Sequence, residues 1–225
     1  MLALIIIVST ILLFLLLQKL YVKVNNPFLL PLLTTTFITV VILIVFKIPY
    51  STYMEGGEWI QKMLGPAVVA LAYPLYNQRE LIFKYKYSIL SGLIVSMLSG
   101  LISIYVFLKL FQASDSFILT ALPKSLTTPV AMQVSETVGG IPPLTAVLVM
   151  VAGFTGAIFG PLLYKIAHID TAISRGVAMG SASHGVGISK LKEYGEEALS
   201  IGSLSMGLSA VLGAFMCPIF ALFII

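Results

Sequence analysis

The stretch from Leu122 to Glu136, Leu-Pro-Lys-Ser-Leu-Thr-Thr-Pro-Val-Ala-Met-Gln-Val-Ser-Glu, most constrains what this chain can become. It is a polar, proline-broken interruption in a chain that is otherwise almost continuous apolar helix. Lys124 stands there beside three hydroxyls, where a lipid-facing helix would carry apolar side chains. A cation and a broken helix are both costly at membrane depth. They persist where backbone is buried in protein or lines a cavity.

The membrane setting follows from composition. Charged residues make up 10% of the chain and hydrophobic ones 59%, with a mean hydropathy of +1.05. A soluble domain carries roughly 25% charged residues. The expected fold class is therefore all-α, a polytopic membrane helix bundle in the lipid bilayer, formed as a single domain over residues 1–225. Residues 2–17 lack a preceding basic region, and Gln18, Lys19 and Lys23 follow instead of a small-residue cleavage site, so they read as a retained first span. The net charge of +4 is scattered and forms no basic stripe, which argues against nucleic acid as a partner. Cys217 is the single cysteine and reads as a small buried hydrophobe.

Eight apolar segments can be delimited: 2–20, 28–46, 60–77, 88–110, 116–135, 143–164, 174–190 and 199–223. Some are broken. Gly65 and Pro66 interrupt the third, Pro123 and Pro129 the fifth, and Gly185 loosens the seventh. The basic residues after segments 1, 3, 6 and 7 fall on one side if the fifth and seventh segments re-enter instead of crossing. The retention of Lys and Arg in cytoplasmic loops favours that arrangement, with both termini outside. The loop at 47–58 is expected outside the membrane. Leu64-Gly-Pro-Ala-Val-Val-Ala70 echoes Thr127-Thr-Pro-Val-Ala-Met-Gln133, and two broken segments in corresponding places point to an inverted repeat.

Within the fifth segment, Thr128 suits an N-cap and Pro129 the first helical turn, so a half-helix begins inside the membrane. Its free N–H groups and positive end make, with Lys124, Ser125, Thr127 and Thr128, a receptor for a small anion. The bland alternative is a proline kink with Lys124 reaching to the interface. In the seventh segment, Ser181, Ser183 and His184 are polar among small residues, and Gly185 and Gly187 allow unwinding. His184 is the candidate for a proton carrier that faces Lys124, or else a packing histidine bonded to a carbonyl. Asn77 closes the third segment as a further polar candidate, and Asn25, Asn26 and Pro27 open the second in a similar manner.

Other chemistries find little footing. The two histidines, His168 and His184, lack ligand spacing and no Cys/His cluster accompanies them, so no metal or other cofactor is expected. No nucleophile–base motif marks an enzyme.

These same residues carry a family resemblance. Asn25-Asn-Pro-Phe-Leu-Leu-Pro31, Leu64 to Tyr76, Leu122 to Ala131, Gly139-Gly-Ile-Pro142, Gly156-Ala-Ile-Phe-Gly-Pro161 and Arg175 to Gly185 resemble the LrgB/CidB family of bacterial membrane proteins. Gly185-Val-Gly-Ile188 varies where relatives often carry alanine, leucine or threonine. The resemblance implies a multi-pass protein of the bacterial cytoplasmic membrane that works with a small LrgA/CidA-like membrane protein, with a homo-oligomer left open. It also implies two functions. One is transport of a small monocarboxylate or 2-hydroxy/2-oxo acid, of pyruvate, glycolate or glycerate type. The other is antiholin- or holin-like control of murein hydrolase export and lysis. Broken helices around a buried cation suit the carrier, since a pore needs neither.

Overall fold

The computed structural model describes residues 2–24, 29, 31–63, 66, 69, 72–77 and 79–224. All regular structure among them is helical, as the sequence requires. Gly65, Asn25, Asn26 and Pro27 lie outside the described residues. Contacts group the chain into two compact units, Met1–Pro66 and Ala67–Ile225.

The first unit holds α1 (Leu2–Val24), α2 (Pro31–Val45) and α3 (Tyr50–Lys62). None of α1 is buried, in keeping with a span whose solvent is lipid. Helix α3 occupies the stretch expected as a loop. Pro49 sets an extended N-cap (φ −60°, ψ 141°), and Gly56 is buried against Ala3 and Ile6 of α1. Glu58 pairs with Lys62 one turn on, at 3.4 Å. The stretch is amphipathic enough to fold onto α1, which a reading based on charge alone misses. Pro66 is helical in backbone and exposed.

The second unit begins with α4 (Ala72–Asn77) and continues with α5 (Arg79–Leu110), α6 (Asp115–Ala121), a 3-10 turn (Leu122–Ser125) and α7 (Thr128–Thr137). Then come α8 (Pro142–Ile166), α9 (Ala172–Ile188), a second 3-10 turn (Ser189–Tyr194) and α10 (Glu196–Ile224). Among the described residues, the helices long and apolar enough to cross a membrane are α1, α5, α8 and α10. Helix α5 starts well before its apolar part. Its 32 residues would span about 48 Å, so its charged first turns outrun a hydrocarbon core of about 30 Å. It kinks at Tyr85 (φ −115°, ψ 22°).

Within the second unit, α5, α8 and α10 share two ends. At one, Leu81, Ile82 and Tyr85 of α5 pack with Ile173 and Val177 of α9 and Ile201 of α10. Tyr164 near the end of α8 meets Tyr194 edge-to-face at 5.6 Å. Arg79, Lys84, Lys86, Lys165, Arg175, Lys190 and Lys192 gather toward this basic end. At the opposite end, Tyr105 of α5 meets Phe220 of α10 at 6.1 Å, and Lys109 pairs with Asp115 at 3.2 Å.

The fifth and seventh segments both double back. Asp115, Ile118 and Leu119 lie beside Tyr105 and Ile224, while Thr137 and Val138 lie beside Pro218, Ala221 and Leu222. Both limbs of residues 115–140 therefore open at the opposite end. Residues 172–194 mirror this from the basic end. Arg175 near the start of α9 stacks over the ring of Tyr194 at 4.7 Å, and Leu191 and Ile188 return to Gly202, which also adjoins the Gly176 carbonyl. The turn between the limbs falls at His184, with φ 39° and ψ −146°. The break thus sits one residue before Gly185, where the sequence placed it; Gly185 itself has no positive φ.

A buried polar clasp closes the first hairpin. Thr145 Oγ1 donates to the Thr120 carbonyl at 2.8 Å and lies 2.7 Å from Ser135 Oγ. The Ile141 N–H donates to Thr120 Oγ1 at 2.9 Å, and the Gly140 N–H to the Ser135 carbonyl at 2.7 Å. Gly139 turns the chain at φ 83°, and a side chain on Gly140 would run into Ser135 and the Thr120 backbone. Buried polar groups in a membrane must pair, and these do so with one another across α6, α7 and α8.

Candidate functional site

The first hairpin turns around Pro123. Helix α6 ends at Ala121, the 3-10 turn follows, and the Leu126 N–H closes it on the Pro123 carbonyl at 3.0 Å. Pro123 is buried. Helix α7 then starts one residue earlier than expected. Thr127 is its N-cap (φ −61°, ψ 140°) and Thr128 its first residue, with Pro129 in the first turn. The Ala131 N–H reaches the Thr127 carbonyl at 2.8 Å. The N–H groups of Thr128 and Val130 precede that first helical bond and have no carbonyl within the helix.

Thr127 does not cap them. Its hydroxyl makes no capping bond, and Thr127 Oγ1 is buried with no hydrogen-bond partner. A buried hydroxyl at a helix start ordinarily finds a donor or acceptor, and leaving it alone is costly. Lys124 is half-buried and donates to Ser125 Oγ at 3.2 Å. Among the described residues no carboxylate forms an ion pair with it. One tip therefore combines a cation, a serine hydroxyl, an orphan threonine hydroxyl and the positive end of a ten-residue helix.

The second hairpin brings its own tip to the same level. Helices α8 and α9 pack antiparallel through glycine notches: Gly160 receives Met179, Gly156 receives Ser183 and Gly153 receives the His184 ring. His184 Nε2 lies 2.6 Å from the Val149 carbonyl. The Val149 side chain shares a core with Leu122 and Leu126 of the first hairpin. The 3-10 turn of Leu122–Ser125 contacts both α8 and α9. Against α10 the tips are also close in depth. Leu126 seats on Gly213, while Gly180, one turn before His184, faces Ser205.

Lys124, Ser125, Thr127 and Thr128 thus share the tip of the first hairpin, while Ser183 and His184 pack into the notches at Gly156 and Gly153 of α8. Ser181 serves elsewhere, bonding the Val177 carbonyl at 2.7 Å and meeting Ser96 of α5 at 2.9 Å, which ties α9 to α5. Asn77 is exposed at the end of α4, whose main contacts are with α5 and α10. Sequence reasoning missed the Thr120–Ser135–Thr145 clasp and the notch at Gly153; the spacing of Gly156 and Gly160 marks a close-packing face without naming Ser183 and Met179 as what fills it. Gly139-Gly-Ile-Pro142 marked the first without disclosing its partners.

Among the described residues no cluster of three or more His, Cys, Asp or Glu could hold a metal. Cys217 is buried in the core beside Leu126 and Met97.

This architecture defines a multi-pass helical membrane protein with two hairpins that meet from opposite ends. The LrgB-like family model matches residues 10–223, and the chain belongs to that family. It is 49% identical to the uncharacterized protein YxaC of Bacillus subtilis over 217 residues, covering 96% of this chain and 94% of that one. It is 34% identical over 220 residues to the holin-like protein CidB of Staphylococcus epidermidis, and equally to that of Staphylococcus aureus, covering 98% of this chain and 96% of each relative. No solved structure matches.

Proposed function

We propose that the chain is a carrier for a small carboxylate in the bacterial cytoplasmic membrane, acting with a small LrgA/CidA-like membrane protein. The observation that carries this reading is the Thr127 hydroxyl, buried and unpartnered beside Lys124 at the start of α7. A carboxylate there would accept from Lys124, from Thr127 and from the free N–H groups of the first turn. It would supply the acceptors that these donors lack. The same groups suit pyruvate, glycolate, glycerate or lactate, since each presents a carboxylate and a neighbouring oxygen. No step in the reading calls for covalent chemistry. The basic end faces the cytoplasm in this account, which puts the C-terminus outside.

A second reading has its own support. Relatives at 34% identity bear the name holin-like protein, which favours a role in lysis control. The two readings differ in what crosses the membrane. Uptake of a labelled carboxylate panel into proteoliposomes, with and without the LrgA-like partner, tests them. A carrier gives saturable uptake of one or a few acids and retains uncharged solutes. A holin-like pore releases unrelated solutes as well.

A further inference from the structure

The two hairpins are an inverted pair. Helix α5 crosses from the basic end, and the hairpin that follows, residues 115–140, enters from the opposite end. Helix α8 crosses back, and the next hairpin, residues 172–194, enters from the basic end. Span-plus-hairpin is thus repeated with reversed direction, and the candidate anion site lies where the tips meet. The echo noted in the sequence, between residues 64–70 and 127–133, is not this pair.

Each hairpin is anchored at its mouth and rests on a notch near its tip. The first is held by the Thr145 clasp at the opposite end, and its Leu126 side chain occupies the space a Cβ on Gly213 would take. The second is held by Arg175, which donates to the Ile169 carbonyl at 2.8 Å and stacks on Tyr194, while Ser183 fills the notch at Gly156. The tip contacts are side-chain contacts on glycine, with few hydrogen bonds to break. The mouths are bonded and aromatic.

We infer that the hairpins are two gates on one path. The hairpin of residues 115–140 closes the site toward the opposite end, and that of residues 172–194 closes it toward the basic end. This rests on the carrier reading for what passes, though not for whether the gates move. Repeats of inverted topology around a midplane site give alternating access when one element rocks at a time. Gly213 seats one gate and Gly156 the other.

Cross-linking tests this in the full chain. In a Cys217→Ala background, Ser125→Cys reports the site, labelled by a membrane-impermeant maleimide from either face of oriented vesicles without substrate. Leu126→Cys with Gly213→Cys pins the first hairpin, and Ser96→Cys with Ser181→Cys, whose hydroxyls stand 2.9 Å apart, pins the second. Unpinned protein should label from both faces. Oxidising the first pair should abolish labelling from the opposite face and spare the basic one. Oxidising the second should do the reverse, and thiol reduction should restore both, which shows that the variants are folded. Labelling from both faces that persists under either pin overturns the inference. Because no substrate is present, that failure is distinct from a failure of the carrier reading, which is judged by uptake.

Discussion

His184 and Val149 are joined across 35 residues by a buried 2.6 Å hydrogen bond from imidazole Nε2 to a main-chain carbonyl. A carbonyl can only accept, so Nε2 carries the hydrogen and Nδ1 is left to bind a proton. If the proton carrier is His184, His184→Gln should flatten the pH dependence of transport between about 5 and 8, where histidine titrates, while substrate binding persists. A mutant profile that overlays the wild type would assign the residue to positioning alone, through its bond to Val149.

The notch at Gly156 yields a coupled prediction. A methyl there would overlap the Ser183 side chain, so Gly156→Ala should destabilise the protein by about 1–3 kcal/mol, the usual cost of overpacking. Ser183→Gly in the same molecule should recover most of that loss. Thermal unfolding in detergent of the two single mutants and the double mutant measures it. Additive effects would contradict direct contact, because residues that touch couple by about 0.5–3 kcal/mol.

Thr145→Val keeps the shape of a fully buried side chain and removes its hydroxyl. The Thr120 carbonyl and Ser135 hydroxyl would lose a partner, at a cost of about 1–3 kcal/mol. Lower thermal stability with an unchanged substrate preference is the expected outcome. A mutant as stable as the wild type would show that the clasp does not hold the hairpin.

Much of this is legible in the sequence, and what is not has physical causes. Lys124 between two prolines announces a broken segment, because neither proline nor a lone cation belongs in a lipid-facing helix. The fall of Lys and Arg favours re-entry of segments 116–135 and 174–190 over crossing without deciding it, because short broken segments can evade the charge rule. Helix α3 is hidden, since its glutamates suggest a loop while its packing on α1 turns on the small surface of Gly56. The break at His184 is masked by Gly185, because glycine is the usual bearer of a positive φ. Sequence alone puts the cap at Thr128, and the extended backbone of Thr127 moves it one residue earlier. Ser181 resembles a site residue until its bond to Ser96 is seen.

Thr127 separates a ligand role from a structural one. Its hydroxyl has no partner in the protein alone, so Thr127→Val should cost little stability. The same change should weaken carboxylate binding, since a hydrogen bond to a charged group contributes about 1.5–3 kcal/mol, and Thr127→Ser should retain it. Ligand-induced thermal stabilisation reads both at once. A Thr127→Val protein that unfolds early but binds normally would make the hydroxyl structural.

If Lys124 holds a transported carboxylate, uptake by Lys124→Gln in proteoliposomes at matched insertion reads that role most directly. A charge-assisted bond contributes about 1.5–3 kcal/mol, so affinity should fall about tenfold or more. The account predicts that loss for each carried acid, with uncharged solutes retained in both proteins. Wild-type uptake by Lys124→Gln, or equal release of uncharged solutes by both, would contradict it.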